Sequence, residues 1–301
     1  MEIKITFLGT GAVVPTETRN HTSILLNYNE ENILVDCGEG TQRQLRKAKI
    51  NPCKITRLLI THWHGDHILG IPGLFQTLAL NNYQKTLFIY GPRGTKKYID
   101  EIFKIFVNNR INTEVREVDG EFLETKDFYL TALKMDHETP CNGYSFTEKE
   151  KLRIKKSSIK KLKINPEERY KLSHLTKGKN IKINNKKINY KKHTYIQPGK
   201  KISFILDTRL SENVKKIAKD SDLAIIESTF LEAESGKQMA NEYFHLTAKQ
   251  AAEIAKSSKV KQLILTHISQ RYQYKEKKLL DEARKIFKNT KLAEDFMTIK
   301  I

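Results

Sequence analysis

The sequence predicts an α/β sandwich, and three observations carry that reading. Short apolar runs that end in a polar residue alternate with helix-like stretches through residues 1–148, and the alternation resumes after 201. A Lys- and Asn-rich block, 149–201, separates the two stretches like an insertion. The runs RLLITH (57–62) and QLILTH (262–267) echo each other across that block, as two similar halves facing one site would.

The elements follow in order. IKITFLGTG (3–11) reads as a strand running into a glycine turn. TSILLNY (22–28) and NILVDCG (32–38), split by Asn29, Glu30 and Glu31, read as a hairpin. EGTQRQLRKA (39–48) has helical composition, and RLLITH and TLFIYG (86–91) are buried-strand candidates. In TKKYIDEIFKIFV (95–107) the apolar residues Tyr98, Ile99, Ile102, Phe103, Phe106 and Val107 form an i, i+3, i+4 stripe, which predicts an amphipathic helix. FYLTALKMDH (128–137) and KISFILDT (201–208) are strand-like, SENVKKIAKDS (211–221) helical, and DLAIIEST (222–229) a strand. Thr247 and Gln250 fit a capping box at the start of the next helix, with Leu246 and Ala251 as its hydrophobic staple. QLILTH is a strand and DEARKIFKN (281–289) a helix.

With 301 residues and 39% hydrophobic content, the chain has room for one large or two modest domains, and a wholly disordered chain is excluded. The longest apolar candidate, 68–80, is interrupted by Pro72 and Gln76. It falls short of the roughly 18 to 20 residues that span a bilayer, so no membrane partner is expected. No signal peptide is read in MEIKITFLGTG. Cys37, Cys53 and Cys141 are too few and too scattered for a disulfide framework or a Cys-based zinc site, and a cytoplasmic setting is expected. Charge is concentrated. The chain carries 54 Lys and Arg against 35 Asp and Glu, net +19. Block 149–201 alone holds 19 basic residues against Glu150, Glu167 and Glu168, net +16. Such a block reads either as a polyanion contact, most often nucleic acid, or as a solvated loop without a partner.

The chemistry is concentrated in His62-Trp63-His64-Gly65-Asp66-His67, placed directly after a buried strand. Imidazole and carboxylate are the preferred ligands of zinc and similar divalent ions. His62 and His64, two apart, point to one side of an extended backbone. Gly65 would allow a sharp turn that sends Asp66 and His67 in a second direction. Four such ligands suit a pair of ions better than one. With nine His in the whole chain, three within six residues is a poor fit to coincidence. Further ligands are offered by the polar residue that ends an apolar run: His137, Asp207 and His267. Singly, each has an ordinary reading as a turn former or an exposed residue. Asp207 is the carboxylate among them and so the choice for a bridging ligand. Glu227 ends DLAIIE and His245 precedes a helix; a His with a carboxylate partner is a general-acid candidate, the alternative being a cap role. His21, His174 and His193 show no partners and are read as surface or core residues.

The His-x-His-x-Asp-His motif with later His, Asp and His resembles the metallo-β-lactamase superfamily. FLGTGAVVP with Arg19-Asn20, LVDCGEGTQRQL, LLITHWHGDHILGIPGL, CNGYSF, LDTR, IEST with His245, and LILTHISQRY together resemble ribonuclease Z, the endonuclease that trims tRNA precursor 3′ trailers. The resemblance spans nearly the whole chain outside the basic block. It implies a four-layer αββα sandwich with a protruding basic arm: residues 1–148 and 202–301 as the catalytic domain, 149–201 as the tRNA-binding arm. It implies two zinc ions per subunit, one held by His62, His64 and His137, the other by Asp66, His67 and His267, with Asp207 between them. Asp66 would orient the attacking water and His245, positioned by Glu227, would protonate the leaving 3′ oxygen after the discriminator nucleotide. A homodimer is implied as well. Two departures stand out. Glu167-Glu168 occupies the stretch where the family often has Gly-Pro, and Glu17 stands where it often has Lys in the loop that senses the RNA 3′ end. Ala293-Glu294-Asp295-Phe296 resembles another family motif. The rivals are a general phosphodiesterase or ester hydrolase of the same fold and a non-catalytic RNA-binding subunit.

Overall fold

The computed structural model describes residues 2–107, 111–161, 166–183, 186–233 and 235–301. Residues 164 and 165, which open the stretch compared with the family's Gly-Pro pair, lie outside them. The chain divides into two compact units, one of Met1–Glu124, Leu130–Phe146 and Lys201–Ile301, the other of Thr125–Tyr129 and Thr147–Lys200.

The large unit is built on two seven-stranded sheets. The first runs Thr298–Lys300, Ile3–Gly9, Ser23–Tyr28, Glu31–Val35, Arg57–Leu59, Thr86–Gly91, Asn112–Glu117. It is antiparallel as far as Glu31–Val35 and parallel beyond. The second runs Thr290–Leu292, Gln262–Thr266, Leu223–Glu227, Lys201–Ile205, Asn142–Glu148, Phe128–Lys134, Gly120–Glu124, parallel through its first four members. The central parallel strands are near-continuous apolar runs because both of their faces are buried, whereas the parallel edge strand Asn112–Glu117 is polar and partly exposed. In register across the first sheet, Leu25, Leu34, Leu58 and Ile89 face the helices Thr41–Lys47, Ile71–Leu80 and Thr95–Ile102. Across the second, Ile205, Ile226 and Leu265 face Glu212–Ala218, Ala248–Ser257 and Lys277–Arg284. The opposite faces meet each other. Tyr28 packs edge-on to Phe146 at 5.2 Å, and Phe122 sits between Tyr90 and Tyr144. Helix, sheet, sheet and helix thus form four layers.

The sequence places most of these elements and misjudges some ends. The helix expected over 95–107 is α-helical at Thr95–Ile102 and widens to π-helical turns at Phe103–Val107. There Phe103 stacks on Phe75, ring centroids 4.9 Å apart, and Gln76 Nε2 donates to the Phe106 carbonyl, so contacts with the neighbouring helix reshape the last turn. The last helix lies at Lys277–Arg284 rather than 281–289, anchored by buried Leu279 and Ala283. Strands Asn112–Glu117 and Gly120–Glu124 carry too little apolar pattern to be read in advance. The capping box is present: Thr247 Oγ1 accepts from Gln250 N at 3.1 Å and Gln250 Oε1 accepts from Thr247 N at 2.9 Å. Thr247→Ala is therefore expected to lower the unfolding free energy by about 1 kcal/mol, with thermal melting as the check.

The smaller unit has a core of its own: Leu175, Ile181 and Ile183, with Ile154, Leu172, Ile188 and Tyr190 packed against them. Lys151–Ile154 pairs antiparallel with Thr194–Gln197, and Ile181–Ile183 with Lys186–Ile188. Glu167 and Glu168 open a short 3-10 helix, Pro166–Lys171, in which Glu168 pairs with Lys171.

Candidate metal centre

The site is assembled at strand ends. After Arg57–Leu59 the chain reaches His64 in extended backbone and then starts a one-turn helix, Gly65–Ile68, that carries Asp66 and His67. The change of direction comes from that helix start, not from a glycine-only conformation at Gly65, whose φ lies outside the left-handed region. Gly38 is the glycine that matters here: a Cβ on it would lie 2.3 Å from the Asp66 carbonyl oxygen. Asp207 follows Lys201–Ile205, Glu227 closes Leu223–Glu227, and His267 follows Gln262–Thr266. His267 and Asp36 hold left-handed backbone, φ 58° and 56°. Each such conformation costs on the order of 1 kcal/mol and is kept where surrounding structure fixes it.

All seven proposed ligands converge. His62, His64, His137 and Asp207 form one group, Asp66, His67 and His267 another, with the ligand atoms of each group within 4.8 Å of one another. Asp207 faces both. Its Oδ2 lies 3.6 Å from His62 Nε2 and 4.0 Å from His137 Nε2, while its Oδ1 lies 3.4 Å from His67 Nε2 and 3.2 Å from His267 Nε2. His137 Nε2 is 3.2 Å from His64 Nδ1, and Asp66 Oδ2 is 3.3 Å from both His67 Nε2 and His267 Nε2. His62 Nε2 and Asp207 Oδ1 are buried and make no hydrogen bond. Orphaned donors and acceptors of this kind are costly unless they serve an ion. The donor set fits a divalent metal.

Carboxylate charge accumulates at this point, and the pKa shifts follow it. Burial works against charge on Asp66 and Asp207, yet the surrounding imidazoles, His67 on Asp66 and His267 on Asp207, hold both carboxyls well below the usual range. Burial with the neighbouring His67 keeps His62 neutral. Burial likewise opposes charge on His245, but Glu227 and Asp207 outweigh it and lift its pKa to about 9. His245 Nδ1 lies 3.1 Å from Glu227 Oε1, as the pairing of these two residues required. A third group, Asp207, His245 and His267, also brings its ligand atoms within 4.8 Å of one another.

The imidazoles are oriented by residues that sequence reasoning overlooked. Asp36, fully buried, takes His67 Nδ1 at 2.7 Å, Thr61 N at 2.7 Å and Thr61 Oγ1 at 2.7 Å. Thr61 Oγ1 lies 3.1 Å from His62 Nδ1, Thr229 Oγ1 lies 2.9 Å from His267 Nδ1, and the Phe244 carbonyl lies 3.2 Å from His137 Nδ1. Asp36 ends the run NILVD and so meets the same rule that picks out Asp207. Of the remaining histidines, His21 is buried and His174 exposed. The cleft over the ligands has a volume of about 650 Å³; Val13, Phe230, Phe244 and Arg271 help to wall it. Glu17 accepts a 2.9 Å hydrogen bond from Tyr274 Oη, and Asp295 accepts from Asn20 N, Thr10 Oγ1 and Gln44 Nε2, so both departure and motif tie down the loop beside the cleft.

Comparison with known proteins decides the family. Ribonuclease Z of Methanothermobacter thermautotrophicus is 40% identical over 303 residues, covering 99% of this chain and 97% of that one. The chain belongs to the ribonuclease Z family. Ribonuclease Z of Methanosarcina mazei is 36% identical over 304 residues, with 99% and 98% coverage. The crystal structure of human tRNase Z, short form, has a TM-score of 0.70 at 28% identity over 98% of each chain. The metallo-β-lactamase fold protein YhfI from Bacillus subtilis also has a TM-score of 0.70, at 18% identity over 100% and 99% of the chains, and speaks to the fold alone. A family profile described as anti-Pycsar protein Apyc1 matches residues 3–119. The fold is the metallo-β-lactamase type that the ribonuclease Z family shares.

Proposed function

We propose that the chain is a zinc-dependent endoribonuclease that removes the 3′ trailer from tRNA precursors. One observation carries the reading: a single buried carboxylate, Asp207, turns one oxygen to each of two histidine sets. His62, His64 and His137 would hold one ion, Asp66, His67 and His267 the other, and Asp207 both. An imidazole-rich donor set favours zinc. When bound, such ions supply Lewis-acid stabilisation of phosphate charge and activation of the attacking water near neutral pH.

The protein's own groups do the rest. Asp66, whose Oδ2 is fixed by a 3.0 Å hydrogen bond from Val13 N, orients the water and receives its proton. His245, held by Glu227, gives a proton to the leaving 3′ oxygen, so the P–O3′ bond breaks to leave a tRNA 3′-hydroxyl and a trailer with a 5′-phosphate. The net +16 of block 149–201 suits phosphate contacts with the body of an RNA, which supports a tRNA precursor over a small diester as substrate. Three free cysteines support a reducing, cytoplasmic setting, and the family resemblance alone supports a homodimer, with light scattering as the check on the oligomer. Among the described residues no helix is long and apolar enough to cross a membrane.

The test is incubation with a 5′-labelled tRNA precursor bearing a 3′ trailer, with and without chelator. Cleavage at one position that stops on chelation is expected; an intact precursor under all metal conditions overturns the reading. Deleting residues 155–179 should raise the apparent KM for the precursor strongly and flatten its dependence on salt, while a chromogenic phosphodiester is turned over as before. Equal precursor cleavage without the segment would reduce the charge block to a solvated loop.

A further inference from the structure

Two buried carboxylates on opposite sides of the centre handle their histidines in the same way. Asp36 accepts directly from His67 Nδ1 at 2.7 Å and from the Thr61 hydroxyl at 2.7 Å, and that hydroxyl lies 3.1 Å from His62 Nδ1. Glu227 accepts directly from His245 Nδ1 at 3.1 Å and from the Thr229 hydroxyl at 2.6 Å, and that hydroxyl lies 2.9 Å from His267 Nδ1. In each half a carboxylate takes one imidazole directly and a second through a threonine. All of these side chains are buried.

Proton counting fixes the direction of each chain. A hydroxyl has one proton, and an ionised carboxylate only accepts. Thr229 Oγ1 has two pure acceptors within reach, Glu227 Oε2 at 2.6 Å and the His267 carbonyl at 3.1 Å, and the closer, charged carboxylate takes its proton. With the proton spent on either, Thr229 Oγ1 must accept from His267 Nδ1–H. In its neutral, ion-binding form His267 thus carries its proton on Nδ1, and the Nε2 lone pair is left on the side of Asp207 Oδ1, 3.2 Å away. The same logic makes His62 Nδ1 the donor to Thr61 and leaves Nε2 for the centre.

We propose that Thr229 is a positioning residue that couples the proton donor to the metal centre, its one hydroxyl fixing at once the Glu227 carboxylate behind His245 and the tautomer of the ligand His267. The assignment rests on the reading of His267 as a ligand and His245 as the acid. Glu227 Oε1 is already shared between His245 and the Thr208 amide, 2.9 Å away, so the Thr229 contact to Oε2 is what completes the fixing of the carboxylate plane. Without the hydroxyl, the two functions come apart: His267 is free to take the other tautomer, and the Glu227 carboxylate is free to rotate away from His245.

The test uses the full-length protein and two variants. Thr229→Val keeps the shape and removes the hydroxyl; Thr229→Ser keeps the hydroxyl. Zinc affinity is read by competition with a chromophoric chelator, without RNA, so the result stands apart from the substrate assignment. Thr229→Val is expected to bind the more weakly held zinc about 10- to 100-fold less tightly, and at saturating zinc to show a lower kcat with KM for the precursor unchanged. Thr229→Ser should restore both. Parent-like affinity in Thr229→Val overturns the proposal. So does a loss that Thr229→Ser fails to restore, which would assign the effect to packing. If Thr229→Val does not fold, Glu227→Gln reads the same chain from its other end. It touches no proposed ligand, yet zinc affinity should fall, and unchanged affinity overturns the coupling. A parent protein that binds zinc as expected but leaves the precursor intact would count against the proposed substrate and not against the threonine.

Discussion

Replacing His245 by Ala is expected to slow precursor cleavage by about 10² to 10⁴ while bound metal stays at the parent level. The imidazole is 7% exposed, stands in the wall of the cleft and is held at Nδ1 by Glu227, which leaves Nε2 as the proton-bearing atom on offer. Its position admits one rival role. Asp207, His245 and His267 bring ligand atoms within 4.8 Å of one another, so an ion there would make His245 a ligand. Elemental analysis of His245→Ala separates the two, because loss of metal assigns ligation. The leaving group gives a second discriminator. A ribose 3′ oxygen needs a proton as its bond to phosphorus breaks; a nitrophenolate does not. The variant should therefore lose far more activity on the precursor than on a nitrophenyl phosphodiester. Equal losses on both would mean that His245 acts through the shape of the site, and normal activity on both would remove it from the chemistry, since Thr247 already caps the helix.

Much of this was legible in the sequence, for a physical reason. Parallel strands buried on both faces must be apolar throughout, so a polar residue at the end of such a run stands out, and in an α/β architecture the carboxyl ends of the strands are where ligands bind. His137, Asp207 and His267 were found by that rule and meet His62–His67 in space. Asp36 satisfies the rule equally, but it follows a strand that pairs antiparallel with Ser23–Tyr28, and a polar residue after a hairpin arm has an ordinary reading as a turn former. The echo between RLLITH and QLILTH points to two similar halves, but it misplaces one partner. Thr61, before His62, supports that imidazole. Thr266, before His267, has its hydroxyl buried without a hydrogen bond, and Thr229 on the neighbouring strand's end takes over. That exchange is a tertiary contact 38 residues apart in the chain, and no local pattern encodes it. The π-helical turns at Phe103–Val107 are illegible for the same reason: apolar periodicity gives the face of a helix, and the stack of Phe103 on Phe75 decides its pitch. The basic block reads as low in hydrophobicity because the core of its unit is a handful of scattered side chains, Leu175, Ile181 and Ile183, brought together by short ribbons.

Asp207→Ala should abolish activity and leave less than one tightly held metal ion per chain, where the parent holds about two. A ligand serving one ion would cost that ion alone. Asp207 is 2% exposed and divides its oxygens, Oδ2 toward His62 and His137 and Oδ1 toward His67 and His267, so its loss removes a donor from each set together. It also removes the negative charge that would let two dications sit close to each other, and their mutual repulsion would then weaken whatever binding the remaining imidazoles provide. His64→Ala is the contrasting variant. It lies in one set and should impair that ion first, with the Asp66, His67 and His267 set retaining its own. Elemental analysis after exhaustive dialysis against weak chelator reads both. A parent protein with a metal content near one that added zinc does not raise would remove the two-ion arrangement. An Asp207→Ala protein that keeps one ion at parent affinity would make Asp207 a ligand of one set, with its second oxygen a spectator.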